Sequence, residues 1–252
     1  MLSLPIKPMK KHFLLLASVL VGCSLVTAFA QPGGPPPGPS WDGAMAKLFG
    51  DNPAFTGTME FHMTGPSGKE ITMQARISHL EGKARFEMDM ASMQGVNMPP
   101  QAAAQMKQMG MSKMVSISRR DLTLVYMLYP DMKAYVEMPM REANAPISEY
   151  KTDVTKLGEE NINGHDCIKN KVLVTCPDGS TREATVWNAT DLNKFPMKLQ
   201  LATKEGRNLL MIFSEVKFEK PDAALFSPPV DFTKYDTMMN LMMSRMRGAP
   251  PQ

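Results

Sequence analysis

Methionine is the residue type in surplus, at 25 of 252 residues. Its thioether is flexible and polarisable, so it fills irregular apolar space and re-packs around varied ligands at little cost. It is also a soft donor suited to Cu(I). Two chemistries therefore compete with the plain alternative that Met stands in for Leu in an ordinary core. In the first, Met63, Met73, Met88 and Met90, alternating along the chain with Phe61 and Phe86, line a cavity for an apolar ligand together with Leu124, Tyr126 and Met242. In the second, the run Met106, Met109, Met111 and Met114 holds Cu(I) or Ag(I) in an exposed segment.

Residues for catalysis are not arranged in any working pattern. His12 precedes the first apolar run, leaving His62, His79 and His165. None belongs to a His-Glu-x-x-His pair, and neither Gly-x-Ser-x-Gly nor Gly-x-Gly-x-x-Gly occurs. The Gly-Lys pair in 65–70 lacks the upstream glycine and the Ser/Thr of a phosphate loop, and reads as a hairpin turn. His62 and His79 fall on polar faces or strand ends, where solvent is their expected surrounding. No catalytic residue, no cofactor and no enzymatic activity are expected.

Charge narrows the partners. Lys7, Lys10 and Lys11 account for the whole net charge of +3, so the chain beyond the first apolar run is neutral. Without a Lys/Arg stripe it has no means of neutralising a phosphate backbone, and nucleic acid is not an expected partner. Those lysines, an apolar run from Phe13 to Gly22 and Ala28-Phe29-Ala30 have the layout of a secretory leader cut between Ala30 and Gln31. An alternative reads Leu20-Val21-Gly22-Cys23 as a lipidation signal, with Cys23 as the acylated N-terminus. The chain is thus expected to be exported and periplasmic, or anchored as a lipoprotein through Cys23. Residues 31–40 are Pro/Gly-rich and read as a tether, and 248–252 as a loose tail. One domain, 41–247, lies between them.

Within that domain the apolar pattern has period two over residues 55–64, 70–77 and 83–90, with turns at 65–68 and 81–83, which predicts an antiparallel meander. Pro99 and Pro100 end it, and the Ala-, Gln- and Met-rich stretch 101–109 predicts a short helix. Strands follow at 115–118, 122–128, 132–138, 168–174, 182–187, 197–201 and 209–218, about ten in all. The segment at 122–128 is apolar on both faces, so something must cover it. Met238, Met239, Met242, Met243 and Met246 recur at helical spacing behind Asp236. If Cys167 to Cys176 is one strand, nine steps of about 3.3 Å separate them by roughly 30 Å. A disulfide spans about 7 Å at most, so two free thiols are expected.

Three phrases carry a resemblance: Asn163-Gly164-His165-Asp166-Cys167-Ile168-Lys169, then residues 186–196 from Val186-Trp187-Asn188 to Lys194-Phe195-Pro196, then Lys220-Pro221-Asp222-Ala223-Ala224-Leu225-Phe226. They resemble an uncharacterised family of exported bacterial proteins placed beside the lipoprotein carriers LolA and LolB. The match is strongest over 157–243. The resemblance implies a mainly β, α+β fold: a strongly curved antiparallel sheet forming a half-open β-barrel, with a few helices on the concave face, here joined by the Met-rich C-terminal helix. It implies no catalytic or ligand residues. The expected function is a non-enzymatic carrier or sensor for a lipid, a lipoprotein acyl chain or another apolar small molecule, acting as a monomer. The alternatives are a Met-rich Cu(I)/Ag(I) binder and a structural envelope protein that meets other envelope proteins.

Overall fold

The computed structural model describes residues 41–64, 69–95, 99–140, 145–202 and 208–246. The expected leader with Ala30, Gln31 and Cys23, the tether and the tail lie outside them. All the described residues belong to one compact unit.

The described chain starts with a helix that apolar periodicity did not reveal, α1 (Gly43–Leu48). Asp42 caps it by accepting a hydrogen bond from the Met45 amide at 2.9 Å, which satisfies one of the amides a helix start leaves unpaired. The meander then forms as its period predicts: β1 (Ala54–Thr64), β2 (Glu70–Leu80) and β3 (Lys83–Asp89). Helix α2 (Pro100–Gln108) opens on proline, which suits a first turn where no amide bond is lost. After it come β4 (Lys113–Arg119), β5 (Leu124–Tyr129) and β6 (Ala134–Pro139). A second run holds β7 (Lys151–Ile162), β8 (His165–Thr175), β9 (Thr181–Ala189), β10 (Pro196–Ala202) and β11 (Asn208–Lys217). A short β12 (Thr233–Tyr235) and α3 (Met238–Met246) end the described chain.

The twelve strands make one sheet in the order β12-β6-β5-β4-β3-β2-β1-β11-β10-β9-β8-β7. All pairs are antiparallel except β12 with β6. The outermost strands, β12 and β7, do not pair with each other, so the sheet is open and unclosed. Its curvature follows from what α1 touches. Trp41, just before the helix, contacts Phe86 of β3, and the helix packs on β8. Six sheet spacings, about 29 Å if flat, separate those strands, whereas six helical residues span about 9 Å. The sheet must curl around α1.

This inner face holds the main core: Phe55, Met59 and Phe61 of β1, Ala75 and Ile77 of β2, Phe86 and Met88 of β3, and Met211 and Phe213 of β11, in one cluster with Trp41 and Phe49. Residues 145–150, which lead into β7, also cross here. Tyr150 in that segment is buried, and a Cβ on Gly43 would fall 2.2 Å from its ring, so only glycine lets helix and segment pass this closely.

The outer face carries a second core of Leu80, Val115, Ile117, Tyr126, Leu128 and Phe226. A strap, residues 221–235, covers it. Arg85 donates to the Leu225 carbonyl at 2.9 Å, Arg119 donates to the Phe226 carbonyl at 3.2 Å, and Lys133 pairs with Asp231 at 2.8 Å. The strap is the cover that the two-faced apolar pattern of residues 122–128 requires.

Two expectations are corrected. Strand β7 falls between 138 and 168, where the sequence predicts no strand, because an edge strand wetted on both faces shows no alternation: eleven of its twelve residues are half-buried or exposed. His79 was expected at solvent and is buried with 6% exposure. It occupies an inward position of β2 near the strand end, between the rings of Trp41 and Phe55, each at 5.2 Å.

Candidate functional site

The two ends of the inner face differ. At the end where β1 begins, the residues flanking α1 plug the sheet with rings: Phe49 stacks on Phe55 at 5.4 Å and meets Phe195 and Phe213 edge-on at 5.6 and 5.5 Å. Eight residues further along β1, about 27 Å away, the character changes to methionine. Two cross-strand rows lead there, Leu199-Met211-Phe61-Met73 and Phe213-Met59-Ala75-Met88-Met114. Beyond them lie Met63 at the end of β1, Met90 and Met93 after β3, Met109 and Met111 after α2, and Met132 between β5 and β6, all only half-buried. Antiparallel pairing puts these connections at the same end of the sheet. They form a rim of thioethers, four of which pack directly on the core.

Helices α2 and α3 stand at this rim. Helix α2 buries none of its side chains. Its end is held by Gly110, whose φ of +73° and close approach both exclude a side chain: a Cβ would lie 2.7 Å from the Met132 Cγ. Helix α3 buries Leu241 in the inner core and leaves Met239 and Met243 exposed. Ser244 donates to the Tyr235 hydroxyl at 3.2 Å and ties the helix back to β12.

Of the residues singled out as cavity lining, Phe61, Met73, Phe86 and Met88 share the inner face and are buried, with Met63 and Met90 half-buried at the rim. Met242 is half-buried on α3, where its neighbour Leu241 supplies the buried contact. Leu124 and Tyr126 lie on the outer face under the strap and do not join this set. The inward residues of β5 are Val125, Met127 and Tyr129. A strand apolar on both faces gives no parity by which to choose between the two sets. Of the run proposed for Cu(I), Met114 lies in the core opposite Met88, while Met106, Met109 and Met111 are half-buried. Sequence reasoning missed Trp41 and Phe49, which supply most of the plug; the signal present was a cap-forming Asp42 ahead of a short, mostly apolar run.

Titratable groups are scattered. His62 meets Glu60 at 2.5 Å and Glu70 at 2.7 Å on the outer face of the β1–β2 hairpin, and His165 meets Asp191 at 2.8 Å. That imidazole holds the Asp191 carboxyl below its ordinary range. Glu160 accepts from the Trp187 indole at 2.7 Å and from Lys198 at 3.1 Å, which lowers its pKa. Cys167 and Cys176 sit near opposite ends of β8 as buried free thiols, and burial pushes the Cys167 thiol up. Among the described residues no group of three His, Cys, Asp or Glu side chains could hold a metal ion, and no helix is long and apolar enough to cross a membrane.

The model of a domain of unknown function, DUF4412, matches residues 55–197, more than half of the chain. The chain belongs to the DUF4412 family. The expected membership of an uncharacterised domain family is thereby borne out, although the match begins at the meander and stops before the strap phrase at 220–226. No curated protein matches the DUF4412 chain. Solved structures similar to it include a LolA superfamily protein from Nitrosomonas europaea, with 11% identity and a TM-score of 0.35 over 73% of this chain and 96% of that one. The lipoprotein LppX from Mycobacterium tuberculosis is similar at 13% identity and a TM-score of 0.38, over 71% and 93%. LprF from Mycobacterium bovis is similar at 12% identity and 0.38, over 76% and 94%.

Proposed function

We propose that this domain is a non-enzymatic, exported carrier or sensor that holds a lipid, an acyl chain or another apolar ligand against the inner face of its open sheet. The observation that carries the reading is the half-buried methionine rim at the end of that face opposite α1. Apolar side chains left partly in water at a strand end cost free energy, about 25 cal/mol for each Å² left exposed. Thioethers in that position can reshape around an incoming chain where branched side chains cannot. The plug of aromatic rings at the other end makes the site blind-ended, so a ligand enters by its tail from the rim and stops at the rings. The leader-like first thirty residues support export.

Purified protein extracted with organic solvent and examined by mass spectrometry should yield lipid or fatty acid in near-stoichiometric amount, and the stripped protein should bind a fluorescent fatty acid. Recovery of no lipid from repeated preparations, together with no fluorescent fatty-acid binding, sinks the reading.

A further inference from the structure

Beside the methionine rim a cleft of about 550 Å³ opens between the end of α2, the ends of β3 and β4, the β5–β6 turn and α3. Among the thioethers of the rim, its lining is charged. Lys107, Lys113 and Arg245 line it with Asp89 and Asp131, and Met109 joins it to the rim. None of the three cations closes an ion pair within 4 Å among the described residues, although Asp89 and Lys113 are register partners. Each carboxylate is held by one oxygen: Asp89 Oδ1 accepts from the Ala91 amide at 2.9 Å, and Asp131 Oδ2 accepts from the Ser112 hydroxyl at 3.4 Å. The other oxygen of each remains for a ligand.

Counting charge decides what kind of ligand fits. Three cations face two carboxylates. Lys107 and Arg245 also stand in the last turns of α2 and α3, where each helix end contributes about half a negative charge. The total is close to zero. A bare anion gains little there, whereas a group carrying both signs can meet each side with its opposite. An arginine and two lysines suit a phosphate, which accepts forked and point-charge donors. Two half-used carboxylates suit an ammonium. The volume lies within the range of small-molecule sites and accommodates a headgroup.

We infer that the cleft seats a zwitterionic phospholipid headgroup, with the phosphate on Lys107, Lys113 and Arg245 and the amine on Asp89 and Asp131. Resting on the carrier reading above, this places the glycerol backbone over Met109 and sends the acyl chains along the thioether rim onto the inner face. The domain then selects its cargo at the rim by charge and accommodates the chains by shape.

Stripped full-length protein is tested by displacement of a fluorescent fatty acid with lipids of identical acyl chains: phosphatidylethanolamine, phosphatidylglycerol and diacylglycerol, plus chain-free glycerophosphoethanolamine. Phosphatidylethanolamine should compete at least about tenfold better than diacylglycerol, and better than phosphatidylglycerol. The double variant Lys113→Gln/Arg245→Gln should bring phosphatidylethanolamine down to the level of diacylglycerol while leaving diacylglycerol unchanged, which also shows the variant folded. Equal competition by all three lipids, or an unaffected double variant, overturns the headgroup seat and leaves the carrier reading standing. Phosphatidylglycerol matching phosphatidylethanolamine overturns the assignment of the amine to the two aspartates. If glycerophosphoethanolamine competes as well as the intact lipid, the acyl seat fails and the headgroup seat survives.

Discussion

The imidazole of His79 lies between Trp41 and Phe55, with Nε2 accepting from the Gly82 amide at 3.3 Å. Nδ1 closes no hydrogen bond, and the nearby Asn52 backbone only partly offsets the cost of charging the buried ring. Burial pulls its pKa from 6.5 down to about 4. The unfolded chain takes up this proton as pH falls below about 6.5, while the folded chain resists until about 4. Stability is therefore full above neutrality and declines as pH drops through that window, by about 2 kcal/mol between pH 7 and pH 5 from this residue alone. Urea unfolding at the two pH values should show that loss, and His79→Phe should remove most of it; an equal loss in the variant assigns the pH dependence elsewhere. The sequence placed His79 in the right strand but not against its neighbour, since the ring covering it comes from Trp41, 38 positions earlier, in a segment with no strand-like pattern.

At the scale of elements, the meander was legible because one wet face and one dry face leave an alternation that no helix can mimic. Helix α1 and strand β7 were hidden for opposite reasons. The six residues of α1 are buried nearly all round, so they show no amphipathic stripe, and β7 is wetted on both faces, so it shows no alternation. The strap was readable only as one of the phrases that carry the family resemblance; its work, sealing Leu80, Ile117 and Tyr126, depends on a crossing of the outer face that local pattern does not encode. Both elements make sharp predictions. Phe49→Ala and Phe226→Ala each remove a fully buried ring, and each should cost about 3–5 kcal/mol. Val230→Ala, in the same strap but fully exposed, should change stability by less than about 0.5 kcal/mol. Thermal or urea unfolding of the three variants checks this; a Phe226→Ala protein as stable as wild type would mean the strap is not part of the folded core.

For the whole molecule, the decisive feature is an open sheet with one end closed by aromatic rings and the other bordered by thioethers. The methionine surplus was legible as a quantity, and half of its distribution was too: Met63, Met73, Met88 and Met90 share a face as their parity implies. The choice of Leu124 and Tyr126 failed to land on that face because β5 is covered on both sides. Replacing Met90, Met111 and Met132 together with leucine conserves volume and should cost less than about 1.5 kcal/mol per site, yet it should weaken binding of the longest fatty acids severalfold, because branched side chains adapt less. Unchanged binding across chain lengths would reduce methionine to a substitute for leucine here. The most direct measurement is photo-labelling of the stripped protein with a fatty acid carrying a diazirine near its methyl end, followed by peptide mapping. Label on the inner-face residues Phe61, Met73 and Met88, with a carboxyl-end probe labelling Met109 and Met132 instead, is the expected result. Label confined to the outer face around Leu124, Tyr126 and the strap, or no specific label, would contradict it.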